Sequence, residues 1–107
     1  MKYLDAKVNE GTPVDIELRE GERKDGDKVL AFAKFIVYDE DVATLWYIQS
    51  NEKGSGARLL ELALDYLKER YDITKVYTDW KASTKGGREV CLKCGFKRKQ
   101  HLLVWEA

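Results

Sequence analysis

The chain has 107 residues, 44% of them hydrophobic and 36% charged, which is material for one domain with a modest core and not for two, so residues 1–107 are expected to fold as a single unit. Nineteen Lys and Arg balance nineteen Asp and Glu; a neutral chain is not captured through bulk charge, which argues against nucleic acid or an anionic membrane as its partner. Two cysteines argue against a disulfide-stapled secreted scaffold, the apolar run 29–38 is too short to span a bilayer and is broken by Lys34, and residues 1–5 carry no signal-like apolar run, so the expected address is the cytoplasm.

In chain order, the first regular pattern is at residues 14–20, where apolar and polar side chains alternate with the period of two that a half-buried strand requires. The polar stretch 21–27, with Gly21 and Gly26, marks the turn of a long hairpin into 29–38, whose denser apolar content predicts a more central strand. Asp39, Glu40 and Asp41 make the next turn. Residues 42–49, rich in β-branched and aromatic side chains, predict a third strand, closed by the polar and glycine residues of 50–56. From 55 to 70 the period becomes 3.6: Leu59, Leu60, Leu62, Ala63, Leu64, Tyr66 and Leu67 cover a wide arc, broader than a coiled-coil seam, so this helix is expected to lie on a sheet. A strand at 73–80, a loop at 82–87, a short helix at 88–94 ended by Gly95, and at least one strand within 97–105 complete the pattern. Three strands, helix, strand, short helix, strand predicts an α+β fold with a mixed, mostly antiparallel sheet.

Charge is uneven along this order. Residues 1–27 carry five basic and eight acidic side chains, and residues 81–99 carry seven basic and one acidic. The cationic C-terminal third fits either a solvated face or an anion-binding role. A second anion signal is Asn51-Glu52-Lys53-Gly54-Ser55-Gly56-Ala57, which places two glycines between a strand and the mouth of the long helix. Backbone N–H groups are unpaired there and the helix dipole is positive, a geometry that takes phosphate oxygens. The spacing is neither a Walker loop nor a Rossmann turn, and by itself it also fits a simple glycine turn.

This segment with Arg58-Leu59-Leu60, followed one helix and one strand later by Cys91-Leu92-Lys93-Cys94-Gly95-Phe96, resembles the GNAT superfamily of acyl-CoA-dependent N-acyltransferases over residues 28–105. The first motif is similar to that family's R/Q-x-x-G-x-G/A loop, with Asn51 where Arg or Gln is usual. The second is similar to its Y-E-K-x-G-F helix ending, with Cys91 where Tyr is usual. The resemblance implies a GNAT-like sheet with one long and one short helix. Only Gly11, Thr12 and Pro13 separate residues 1–10 from the strand at 14, so the family's two N-terminal helices have no room.

The resemblance further implies acetyl-CoA as cosubstrate and no metal. It puts the pyrophosphate on the backbone amides of Lys53, Gly54, Ser55, Gly56 and Ala57, and the pantetheine arm between the strand ending at Ile48 and Gln49 and the strand 75–79. Lys81, Lys85, Arg88 and Lys93 become candidates for phosphate contacts. An amine attacks the thioester directly, a backbone N–H of 45–49 polarises the carbonyl, and Asp79 is the candidate base, although it also fits the start of a loop. Cys91 takes the position of the proton donor to the leaving thiolate, with Tyr77 or water as substitutes. The missing helices imply an acceptor groove that is open to a peptide or protein lysine, or that a partner subunit completes, as in a homodimer.

The remaining features have plainer readings. Cys91 and Cys94 spell C-x-x-C, but His101 is the single histidine for a zinc site that needs about four ligands, and the pair closes a helix where a redox pair would open one, so buried core cysteines are expected. Trp46, Trp80 and Trp105 fit sheet packing, an adenine stack or an acceptor pocket. His101 is expected on a late strand in a structural role, and the Asp39–Asp41 turn is an exposed acidic turn or a lure for a cationic amine. The expected function is transfer of an acetyl group from acetyl-CoA to a primary amine, on a small molecule or a protein lysine. The alternative is a catalytically silent GNAT-fold module that holds CoA or a protein partner, and thiol redox chemistry at the cysteine pair stands third.

Overall fold

Alternation sends Val14, Ile16 and Leu18 to one face of a strand, and the same face continues through Ala31, Ala33 and Phe35 of the next strand in register with them. In the computed structural model, which describes residues 1–8, 13–38, 41–80 and 84–107, this pattern grows into a mixed sheet. Its strands are β1 (Lys2–Val8), β2 (Pro13–Glu20), β3 (Lys28–Tyr38), β4 (Val42–Ser50), β5 (Lys75–Asp79), β6 (Lys97–Lys99) and β7 (Leu102–Glu106). The helices are α1 (Ser55–Tyr71) and α2 (Lys85–Lys93). The spatial order is β1-β2-β3-β4-β5-β7-β6, antiparallel except where β5 runs parallel to β4. That parallel step is the crossover through α1.

Helix α1 buries Leu59, Leu60, Ala63, Leu64 and Leu67 against the sheet, so the wide arc read from its period is a buried surface. It ends where Asp72 turns left-handed (φ 56°) and its amide, with that of Ile73, donates back to the carbonyls of Lys68 and Leu67. Helix α2 lies beside α1 on the same face of the sheet, adding Cys91 to the core, and Phe96, Val76 and Leu103 close the far end. Among the described residues no helix covers the opposite face. Nor, among them, is any helix long and apolar enough to cross a membrane.

Four sequence expectations shift. No strand was expected in residues 1–10, yet 2–8 form β1 at the sheet edge, where Leu4 and Ala6, alternating with Asp5 and Lys7, pack on the core opposite Leu18 and Ile16. The strand expected at 73–80 is shorter, because Ile73 is drawn under the end of α1 and Trp80 turns away with its amide on the carbonyl of His101. Helix α2 begins at Lys85 and not at 88: Thr84 caps it, its Oγ1 accepting from the Gly87 amide at 3.0 Å, which starts the helix despite Gly86 and Gly87. The segment 97–105 is two strands joined by a turn in which Gln100 is left-handed (φ 56°), so His101 lies in a turn and not on a strand. The acidic turn keeps only Asp41 within the described residues; Asp39 and Glu40 lie outside them.

Phe35 is fully buried at the centre of this core. Phe35→Ala is expected to lower unfolding free energy by about 3–5 kcal/mol, read as a shifted urea midpoint at unchanged slope.

Candidate active site

Strand β4 accompanies β5 for only three positions, Val42 with Lys75, Ala43 with Val76 and Thr44 with Tyr77. The cause lies on its other edge. Lys34 of β3 pairs with Tyr47 while the next residue, Phe35, pairs with Leu45, which leaves Trp46 as an extra residue, a β-bulge. Leu45 before the bulge and Ile48 after it both pack toward the core, so Trp46 and Tyr47 between them stand outward in succession. The bulged strand bends away from β5 and opens a cleft of about 380 Å³. Residues 44–48 form one wall, Thr78 and Asp79 the other, and Thr84, Gly87 and Cys91 of α2 close the end. Beyond Thr44 the backbone of β4 has no strand beside it on this side, leaving hydrogen-bonding groups available at the cleft.

The mouth of α1 lies at the end of the same strand. Gly54 is the N-cap with φ 84°, a left-handed residue that turns the strand into the helix, and a Cβ there would meet nothing within 4 Å. Gly56 has a different reason to be glycine: a Cβ on it would come within 3.2 Å of Ser50 Cβ and 3.5 Å of Val90, so it permits close packing of α1 on β4 and α2. Of the five amides expected to form the phosphate cradle, two are engaged internally. Ser55 donates to the carbonyl of Glu52 at 3.1 Å and Gly56 to Ser50 Oγ at 3.2 Å. Among the described residues no acceptor meets the amides of Lys53, Gly54 and Ala57, and these three form the narrower cradle.

The candidate catalytic side chains part company. Asp79 is exposed at the end of β5 and lines the cleft, as does Cys91. Tyr77 is not among the cleft-lining residues; it stands on the sheet face opposite Val76, which points into the core. Burial, then the neighbouring Cys94, pushes the Cys91 thiol up to about 12. Delivering its proton to a thiolate of ordinary basicity, near ~8.5, would run uphill by roughly 5 kcal/mol. Burial thus keeps Cys91 neutral in the cleft wall, which weighs against the proton-donor part expected of it. Cys94, also raised by burial, donates from Sγ to the Ala57 carbonyl at 3.4 Å, so the pair fastens α2 to α1. Both thiols are free.

No known family pattern and no curated protein matches the sequence. Solved structures do match the fold. One is the ribosomal-protein-S18-alanine N-acetyltransferase from Escherichia coli, with TM-score 0.69 and 20% identity over 92% of this chain and 71% of that one. Another is a GNAT family acetyltransferase from Elizabethkingia anophelis with acetyl-CoA bound, with TM-score 0.70 and 14% identity over 90% and 77%. A third is spermidine N-acetyltransferase from Vibrio cholerae in complex with CoA and spermine, with TM-score 0.64 and 15% identity over 88% and 63%. The chain has the GNAT fold. In this chain residues 9–12 alone separate β1 from β2, four residues where two helices cannot fit.

Placed on the GNAT fold, the other expected cofactor contacts separate. Ile48 lines the cleft and touches the first turn of α2, 3.8 Å from where a Cβ on Gly87 would stand. Gln49 and Asn51 are linked in a chain: Tyr47 Oη donates to Gln49 Oε1, Gln49 Nε2 to Asn51 Oδ1 at 3.0 Å, and Asn51 Nδ2 to the Val29 carbonyl at 3.1 Å. Arg88 is engaged with Trp80, donating from Nε to its carbonyl at 2.8 Å with the guanidinium carbon 4.4 Å from the ring centre, so its expected phosphate contact gives way to a structural anchor. Lys85 and Lys93 are exposed at opposite ends of α2, about 12 Å apart along its axis, too far to share one phosphate. Lys81 lies outside the described residues. The sequence reading missed Thr44, Thr78, Thr84 and Gly87 as cleft residues. Only Thr84, three residues before Gly87 in the pattern of a helix cap, left a signal that could have been read.

The raised Cys91 thiol has a measurable consequence. In the unfolded chain it ionises near 9.0, in the native state not until about 12, so the native state keeps its proton longer and loses stability as pH rises through that interval. Alkylation by iodoacetamide at about pH 8 is expected to leave Cys91 untouched until denaturant is added. The alkaline loss of stability is expected to shrink in Cys91→Ala, followed by thermal melts across that range.

Proposed function

We propose that this chain is an acetyl-CoA-dependent N-acetyltransferase that acylates a primary amine. The observation that carries the reading is the coincidence of two features: a cleft opened between parallel strands by a bulge, and three unsatisfied amides at the helix mouth that follows the same strand. The solved structures that share the fold are N-acetyltransferases, one with acetyl-CoA bound and one with CoA and spermine. The residues present fit such a substrate, since the space beside Gly54 is open and the cleft wall at Leu45, Ile48 and Cys91 is apolar.

In this reading the amides of Lys53, Gly54 and Ala57, with the α1 dipole behind them, hold the diphosphate. Acetyl-CoA supplies the activated thioester. A free backbone N–H of β4 at the bulge faces the carbonyl oxygen, where negative charge develops as the amine nitrogen forms its bond to the carbonyl carbon. Asp79 accepts the proton that the amine loses, directly or through a water. The C–S bond then breaks, and because Cys91 holds its own proton, the departing thiolate is protonated from water. The neutral thiol and the apolar wall keep bulk solvent from the reacting carbon. The tightly held Cys91 proton is also what favours the alternative, a silent module that binds CoA without turnover.

Titration calorimetry with acetyl-CoA and a thiol-release assay over a panel of amines test both. Ala57→Pro deletes one cradle N–H in the first helical turn, where proline is tolerated, and is expected to weaken acetyl-CoA binding about tenfold or more with little change in melting temperature. Asp79→Asn is expected to bind acetyl-CoA normally and turn over about 100-fold more slowly. Binding without turnover on any amine would leave the silent module, and absence of binding would remove both.

A further inference from the structure

Trp46 is the odd member of the aromatic set. Trp80 carries the guanidinium groups of Arg88 and Arg98 at 4.4 and 4.1 Å, Trp105 packs on the core, and Tyr47 is held by Phe32, ring centres 5.5 Å apart, and by its hydrogen bond to Gln49. Among the described residues no ring or cation lies against Trp46, which stands 67% exposed. A bare indole of this size beside a cleft is a binding surface. Its placement is not an accident of an exposed loop: it is the unpaired residue of the bulge, within the strand and at the rim of the cleft.

We propose that Trp46 forms the acceptor subsite and holds the alkyl-ammonium arm of a lysine side chain in a polypeptide. The proposal rests on the acetyltransferase reading and names its acceptor. The indole face attracts an ammonium group, and the four-carbon stem of lysine lies along aromatic surface while its charged end reaches further. Asp79 is the single carboxylate among the described residues lining the cleft, a match for one ammonium. The sheet face onto which Trp46 and Tyr47 project carries no helix among the described residues, so none of these helices stands between it and the polypeptide bearing the lysine. In the resulting step the lysine ammonium first gives one proton to Asp79, directly or through a water; the neutral Nζ then bonds to the thioester carbonyl carbon, the C–S bond breaks, and the second nitrogen proton passes to water as the departing thiolate takes one from water.

Nuclear magnetic resonance of the 15N-labelled protein separates this proposal from the reading beneath it. CoA is added first; movement of the Gly54 and Ala57 amides supports the cofactor cradle. Nα-acetyl-lysine methylamide is then titrated, with the indole N–H signals of the three tryptophans in view and that of Trp46 identified by its loss in Trp46→Phe. The Trp46 signal is expected to move with the lysine mimic and to stay still with the norleucine analogue, which lacks the ammonium. Trp46→Ala is expected to raise KM for a lysine peptide about tenfold while kcat and acetyl-CoA affinity stay within about twofold of the parent. A still Trp46 signal, an equal response to the norleucine analogue, an unchanged KM, or a preference for spermidine over the lysine mimic overturns the proposal. If CoA leaves Gly54 and Ala57 unmoved while the lysine mimic still shifts Trp46, the cradle reading fails and the amine subsite stands.

Discussion

One extra residue in a strand governs this molecule. Side chains alternate along β4 with a period of two, so inserting Trp46 between the partners of Phe35 and Lys34 would turn every later side chain to the wrong face unless the strand bulged. The bulge restores Ile48 to the core side, bends β4 away from β5 and ends their pairing at Thr44. The cleft, the unpaired backbone along its wall and the two outward aromatics all follow from that local irregularity. A regular β4 would have continued alongside β5 and left a closed sheet with no site.

The second constraint is the close seating of α1 against the end of β4. Ser50 Oγ accepts from the Gly56 amide and itself donates to the Glu52 carbonyl, so one hydroxyl ties strand, turn and helix together. Gly56 admits Ser50 and Val90, and Cys94 reaches the Ala57 carbonyl from α2. The Lys28–Glu52 ion pair beside this turn is solvent-exposed, and exposed pairs contribute little. Glycine, serine and close packing set the turn's shape, and the same contacts decide which amides remain available to a ligand.

Three of the six described cations in residues 81–99 are engaged within the chain. Arg88 and Arg98 flank Trp80, and Lys99 pairs with Glu106 at 3.0 Å. The fully exposed β6 carries Lys97, Arg98 and Lys99, and charge on an edge strand discourages further strands from adding to the sheet. Net charge along a sequence window thus overstated the cation available to an anionic ligand, because guanidinium groups stack on aromatic rings and donate to carbonyls that no window of sequence brings near.

Periodicity made most of the fold readable: the alternation at 14–20, the 3.6 period of 55–70 and the ending at Gly95, which is left-handed at φ 94°, are properties of single segments and survive into the structure. The edge strand β1 escaped although Leu4, Ala6 and Val8 alternate with Asp5 and Lys7, because the run is only five residues long and holds one large apolar side chain that packs on the core, Val8 being exposed. The site was legible only in part. Gly54 and Asp79 stand at the helix mouth and the cleft, whereas Tyr77 lies off it and Arg88 is held by Trp80. By itself the sequence determined which segments are strands and helices and where a glycine turn meets a helix, because those follow from local periodicity and backbone freedom. Only the tertiary structure decided where β4 bulges, which of five amides stay unsatisfied and how tightly Cys91 holds its proton, because strand register, hydrogen-bond acceptors and burial are supplied by residues distant in the chain.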